Sequence, residues 1–73
     1  MEVRELVATE VPDSNSVMIT SPETDRVAIV TLRDTNHTRP SFEVELSNGV
    51  LIGGELPRVW CWNRACRFVA EGV

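Results

Sequence analysis

Trp60, Arg64 and Arg67 combine the residue types and the spacing of a binding anchor. On a helix, side chains three or four residues apart are neighbours, so these three would follow one another along one face. Tryptophan and arginine are the residues most enriched at binding hot spots, because a flat ring and a forked donor can contact the same partner. We predict that Trp60 is exposed beside the arginines and contacts a partner. Packing of its ring over a hairpin edge, as peripheral core, is the alternative.

Glu43 and Glu45 are a second pair of side chains that could carry chemistry. Two carboxylates can perform acid–base catalysis when burial separates their pKa values. Here they alternate with Phe42, Val44 and Leu46, which indicates the solvated face of a strand whose other face is apolar. We therefore predict a second contact surface for a partner at this acidic pair.

Cys61, Cys66 and His37 do not have the spacing of a reactive or metal-binding set. A tetrahedral metal site needs more ligands than this chain offers, and a cysteine nucleophile paired with the single histidine would lack a third, orienting group. The separation of the two cysteines places them poorly for a disulfide, so we expect reduced thiols. Gly53-Gly54 is not followed by the residues of a phosphate loop. We therefore expect no metal and no cofactor.

A length of 73 residues predicts one domain, 1–73, with a small core. Such a core leaves little room for a water-excluding pocket of about 300 Å³ or more, so we predict a protein without enzymatic activity. The longest uncharged stretch near the N-terminus contains Pro22 and polar residues, which fits neither a signal peptide nor a membrane span. We expect a cytoplasmic protein with no membrane partner.

The net charge of −4 is unevenly distributed along the chain. Residues 1–57 contain ten acids and four arginines, whereas residues 58–73 contain three arginines and one acid. Because non-specific affinity for nucleic acid comes from accumulated positive charge, an acidic body makes nucleic acid the less favoured partner. We expect a protein partner instead.

The elements that must position these side chains are short strands followed by one helix. Runs with strand propensity cover residues 2–9, 17–20, 27–32, 42–46 and 50–52, and turn residues separate them. Residues 2–9 fit a strand or one helical turn, and we take them as a strand. Residues 27–32 are almost continuously apolar, which predicts the middle strand of the sheet, covered on both faces.

Asn48 and Gly49 separate two of these runs. This dipeptide is the strongest short-range signal of a hairpin, because a type I′ turn needs positive φ at both central positions. We therefore predict a hairpin with a type I′ turn at these two residues.

Residues 57–71 place their apolar side chains in one half of a helical wheel and their polar side chains in the other. This pattern predicts an amphipathic helix that begins near Pro57 and is capped by Gly72. We expect the core to consist of Val27, Ile29, Leu32, Phe42, Val44, Leu46, Ile52, Val59, Trp62, Cys66 and Val69.

The hairpin segment V-E-L-S-N-G at residues 44–49, continued by G-E-L at residues 54–56, resembles the central hairpin of Sm-like RNA-associated proteins. Those proteins carry V-x-L-x-N-G followed by G-x-L. In that family the chain continues toward an aspartate and an asparagine that contact RNA, and residues 57–68 depart from that pattern. No Sm-type binding residue is therefore assigned to this chain.

These elements predict an α+β fold, with a small antiparallel sheet or open barrel of four to five short strands and a C-terminal amphipathic helix. A small barrel made of strands alone is the alternative. For function we expect a non-catalytic regulator that binds a larger protein. Small acidic chains of this kind are typical of phage or mobile-element proteins that modulate a host machine, such as RNA polymerase in transcription.

Two other functions remain open from the sequence. One is a small module for RNA or single-stranded nucleic acid, in which Trp60 stacks on unpaired bases beside the arginines. The other is a structural or assembly subunit in which the edge of the hairpin pairs with a neighbouring copy. We expect a monomer or a weak homo-oligomer.

Overall fold

The computed structural model describes residues 5–34 and 41–73, which form five strands and one helix. The elements are β1 (Val7–Glu10), β2 (Ser16–Ser21), β3 (Thr24–Asp34), β4 (Ser41–Leu46), β5 (Leu51–Leu56) and α1 (Arg58–Glu71). The strands make one antiparallel sheet in the order β1-β2-β3-β4-β5, so each strand pairs with its neighbours in sequence. The predicted α+β class is confirmed. The sheet is open rather than a barrel, because β1 and β5 are its two edges.

The helix packs on one face of the sheet, against β2, β3 and β4. Alternation along each strand decides which side chains face it: Ala28 and Val30 of β3 are buried there, whereas Ile29 between them points to the other face. The buried core is Ile19, Ala28, Val30, Val44, Leu46, Cys61, Ala65, Phe68 and Val69. Phe42, Ile52, Trp62 and Cys66 pack against it as half-buried side chains.

Four of the predicted core residues are outside this cluster. Alternation places Val27 and Ile29 on the face of the sheet opposite α1. They are outside the core because no described element covers that side of β3. Residues 27–32 therefore form the middle strand, but the prediction that both faces are covered is wrong. Leu32 is half-buried toward the end of β3. Val59 is 66% exposed, because it lies in the first turn of α1 at the margin of the apolar arc.

The predicted hairpin joins β4 and β5, but its turn differs from the prediction. Gly49 has φ of 95°, and Asn48 is not in the left-handed region, so the turn is not type I′. The Leu46 N–H donates to the Val50 carbonyl at 2.8 Å and the Gly49 N–H donates to the Leu46 carbonyl at 3.0 Å. These bonds enclose a three-residue loop in which only the glycine needs positive φ.

Both ends of the helix lie within one residue of the predicted limits, 57 and 71. Pro57 is the N-cap, in extended conformation, where its missing N–H costs no hydrogen bond. Gly72 is the C-cap in the left-handed region, with φ of 79°, and its N–H donates to the Phe68 carbonyl at 2.7 Å. Glycine is favoured at this position because it has no Cβ to oppose the left-handed conformation.

The predicted N-terminal strand is present as β1, which begins at Val7 and ends at Glu10. Residues 2–4 of that prediction and His37 lie outside the described residues. In the described part of the chain, no helix has the length and apolarity needed to cross a membrane.

Candidate functional site

The exposed face of α1 brings together the three helix residues that were predicted to bind. Trp60, Arg64 and Arg67, together with Asn63, line a shallow groove of about 190 Å³. These positions are spaced by three or four residues, so they form one stripe along the helix. Trp60 is 42% exposed and is not among the side chains that pack against the core. Its predicted exposure is confirmed, and its contact with a partner remains a prediction.

The two guanidinium groups of the groove differ in what they contact. Arg64 is half-buried, and its Nη1 donates to the main-chain carbonyl oxygen of Val73 at 2.6 Å. Arg67 is exposed and has no hydrogen-bond or ion-pair partner among residues 5–34 and 41–73. One arginine is thus held by a residue that follows the helix, and the other is available to an incoming carboxylate or other anion.

Trp62 has a different environment from Trp60, although only one residue separates them. Its ring is half-buried against the core, as predicted, and the guanidinium carbon of Arg58 lies 5.4 Å from the ring centroid. This distance is within the range of a cation–π contact. Trp62 therefore contributes to packing, and Trp60 is the aromatic side chain that the helix presents outward.

Glu43 and Glu45 are on the opposite face of the sheet from α1, so they do not join the groove. Glu43 is half-buried and accepts a hydrogen bond from Nη1 of Arg33 at 3.1 Å. Glu45 is exposed and has no partner within the described residues. The five predicted site residues thus belong to two separate surfaces, one on each side of the molecule.

The cysteines are unpaired, with Cys61 buried and Cys66 half-buried. Burial raises the pKa of both thiols, because it removes water from the thiolate. A raised pKa keeps a thiol protonated near neutral pH, which is unfavourable for a nucleophile. Among the residues that the structure describes, no three His, Cys, Asp or Glu side chains are placed to hold a metal ion.

Asn63 is the groove residue that sequence reasoning did not select. It follows Trp60 by three residues and precedes Arg67 by four, so the helical spacing alone places it between them. Its side-chain amide offers a hydrogen-bond donor and an acceptor within the groove.

Comparison with protein-family models, curated proteins and solved structures finds no match to this chain.

Proposed function

We propose that this protein is a non-catalytic binding module, and that the groove on α1 contacts an acidic patch on a larger protein. The observation that carries the proposal is the stripe of Trp60, Asn63 and Arg67 on the exposed face of the helix. An exposed aromatic ring supplies contact area at low conformational cost, and an unpaired guanidinium beside it supplies direction. Neither side chain belongs to the core cluster or to the half-buried side chains that pack against it.

A protein partner is favoured over nucleic acid by the distribution of charge. The helix contains Arg58, Arg64 and Arg67 against the single acid Glu71, whereas the chain as a whole has a net charge of −4. A long polyanion would reach beyond the helix to the acidic strands, and repulsion there would offset part of its attraction to the groove. A compact acidic patch would contact the helix alone.

The target class that we propose to test first is a host machine such as RNA polymerase, which is the class expected from the size and acidity of the chain. In this proposal the module regulates its target by occupying a surface, because no chemistry is assigned to it. Binding at the groove would then be sufficient for the effect.

The experiment compares Trp60→Ala with Val59→Ala in affinity capture with purified RNA polymerase and with a lysate of the source cell. Val59 is on the same turn, is more exposed at 66%, and is outside the groove. We expect Trp60→Ala and Arg67→Glu to lose a captured protein that Val59→Ala retains. A photo-crosslinking amino acid at position 60 should join the module covalently to that protein. Capture that survives both groove substitutions would contradict the proposal.

A second function, binding of single-stranded nucleic acid, is favoured by one observation: Trp60 can stack on a base while Arg67 contacts a phosphate. This function requires quenching of tryptophan fluorescence by oligonucleotides and an affinity that falls steeply with salt. Quenching that is absent at low salt would exclude it. If oligonucleotides quench the wild type and Trp60→Phe abolishes this quenching, the partner of the groove is nucleic acid and the proposal of a protein partner is wrong.

A further inference from the structure

The face of the sheet opposite α1 is not covered by any described element. The strand register places Met18 beside Ile29, Ile29 beside Glu45, and Glu45 beside Leu51, in one row across four strands. Met18 and Ile29 are half-buried, and Leu51 is 59% exposed. We call this row the open-face row. It is an apolar band interrupted by one carboxylate.

The carboxylate of this row is available to a partner. Glu45 is exposed and has no hydrogen-bond or ion-pair partner in the described ranges, whereas Glu43, on the same face, is paired with Arg33. Placing an exposed charge between apolar neighbours favours a ligand that presents an apolar side chain and a cation together.

The groove on α1 presents that combination, with Trp60 and the unpaired Arg67. The two residues are separated by seven positions, which is about 10 Å along a helix at 1.5 Å per residue. In the open-face row, Met18 and Glu45 are separated by two strand spacings, which is also about 10 Å. A helix lying along the row could therefore place its tryptophan over Met18 and Ile29 and its arginine against Glu45.

We propose that the open-face row binds the α1 groove of a second copy of this chain. The helix of one copy would cover the bare side of the next copy's sheet, which gives the common arrangement of a sheet between two helical layers. The two contacting surfaces are different, so the association is head-to-tail and adds further copies instead of closing as a symmetric dimer. Charge complementarity and equal spacing make the chain's own helix the occupant.

This association would also compete with the partner proposed above, since both use the groove. The competition rests on the proposed function, whereas self-association does not. At high concentration the groove is covered by a neighbouring copy, and dilution exposes it. Self-association would therefore keep the groove from its protein partner until the assembly dissociates.

The test measures the weight-average mass by sedimentation equilibrium as a function of concentration, for the wild type, Glu45→Arg and Arg67→Glu. We expect the wild-type mass to rise with concentration and to fall toward the monomer at high salt, where surface charges are screened. Each charge reversal should remain monomeric. A mixture of the two variants should associate again. In a mixed pair, either native Glu45 faces native Arg67 or the two reversed charges face each other, and both contacts join opposite charges.

Glu10→Arg is the matched control, since it makes the same charge change at an exposed strand residue whose pairing partner, Val17, packs on the helix side. It should associate like the wild type, and circular dichroism should show all variants folded. A wild-type mass that does not change with concentration, or a mixture that stays monomeric, would overturn the proposal. Glu45→Arg leaves the groove intact, so its capture of a protein partner tests the proposed function separately.

Discussion

The guanidinium of Arg26, on the middle strand, donates from Nε to the carbonyl oxygen of Phe68, near the end of α1, at 3.0 Å. The same side chain reaches the carbonyls of Val69 at 3.0 Å and Ala70 at 3.2 Å through Nη2. The last carbonyls of a helix have no partner within it, and α1 has no basic residue in its last turn. Arg26 therefore satisfies the end of the helix and joins it to the sheet.

Removal of this contact should destabilise the fold. We expect Arg26→Met to lower the free energy of unfolding by about 2–3 kcal/mol, because hydrogen bonds to a charged group are lost. Arg26→Lys should recover only part of the lost free energy of unfolding, since an ammonium group cannot span three carbonyls. Urea denaturation measures both. Arg33→Met, which breaks an exposed ion pair, is the control and should cost at most about 1 kcal/mol. If Arg26→Met and Arg33→Met lowered the free energy of unfolding equally, the role given to Arg26 would be contradicted.

The two tryptophans should differ in their access to solvent. Trp62→Phe leaves Trp60 as the only emitter, and Trp60→Phe leaves Trp62. Because Trp60 is exposed and Trp62 packs against the core, acrylamide should quench Trp60 more strongly, and its emission should lie at longer wavelength. Similar quenching of the two variants would show that Trp60 is folded onto the protein.

The stability of the protein should decrease in alkaline solution. Burial raises the pKa of Cys61 and Cys66 in the native state, so the unfolded chain ionises these thiols at lower pH. The stabilisation is complete below the unfolded thiol pKa of about 8.5 and is lost as the pH rises above it. The chain has no lysine and no tyrosine, so thiols are the side chains that titrate between about pH 8 and 11.

The urea midpoint at about pH 7 and pH 10 tests this expectation, with each variant compared to itself. Cys66→Ala should remove part of the alkaline decrease, because one of the two shifted thiols is gone. A wild-type midpoint that is the same at both values, or a decrease that the substitution leaves intact, would show that the thiols ionise normally in the native state.

The hairpin should be sensitive to a side chain at the turn glycine, Gly49, and insensitive to one at the strand glycine, Gly53. Gly49 has φ of 95°, so Gly49→Ala should cost about 1–2 kcal/mol in the free energy of unfolding. Gly53 does not have a positive φ, and an added Cβ would meet Glu43 at 3.5 Å, an ordinary contact. Gly53→Ala should therefore change stability by at most about 0.5 kcal/mol. The opposite ranking in urea denaturation would contradict the turn described here.

The strands, the hairpin and the helix were predictable because each depends on a local pattern. Alternation marked β4, and the polar half of the helical wheel placed Trp60 and Arg67 outward. The error at Ile29 has a different origin, because an apolar run does not reveal whether a second layer covers the strand. The turn at Gly49 was also beyond prediction, since hydrogen bonds of the neighbouring strands select its length.

Other features depend on contacts between residues far apart in sequence. Arg26 and Phe68 are separated by 42 positions, and no local signal links a strand arginine to the end of a helix. The separation of Glu45 from the groove likewise depends on which side of the sheet the helix covers. Which residues share a surface depends on how the helix and the sheet pack, and the periodicity of one element does not carry that information.

The order of the elements along the chain also determines when the core can close. A ribosome delivers the N-terminal residues first, so all five strands are made before residues 58–71 emerge. During that interval Ile19, Val30 and Val44 have no helix to pack against, and Arg26 has no carbonyls to contact. Strand pairing can begin early, but the sheet keeps an apolar face toward water until α1 arrives. The native state is thus reached only after the helix has been synthesised, and nascent chains that stall before it are the species most exposed to aggregation.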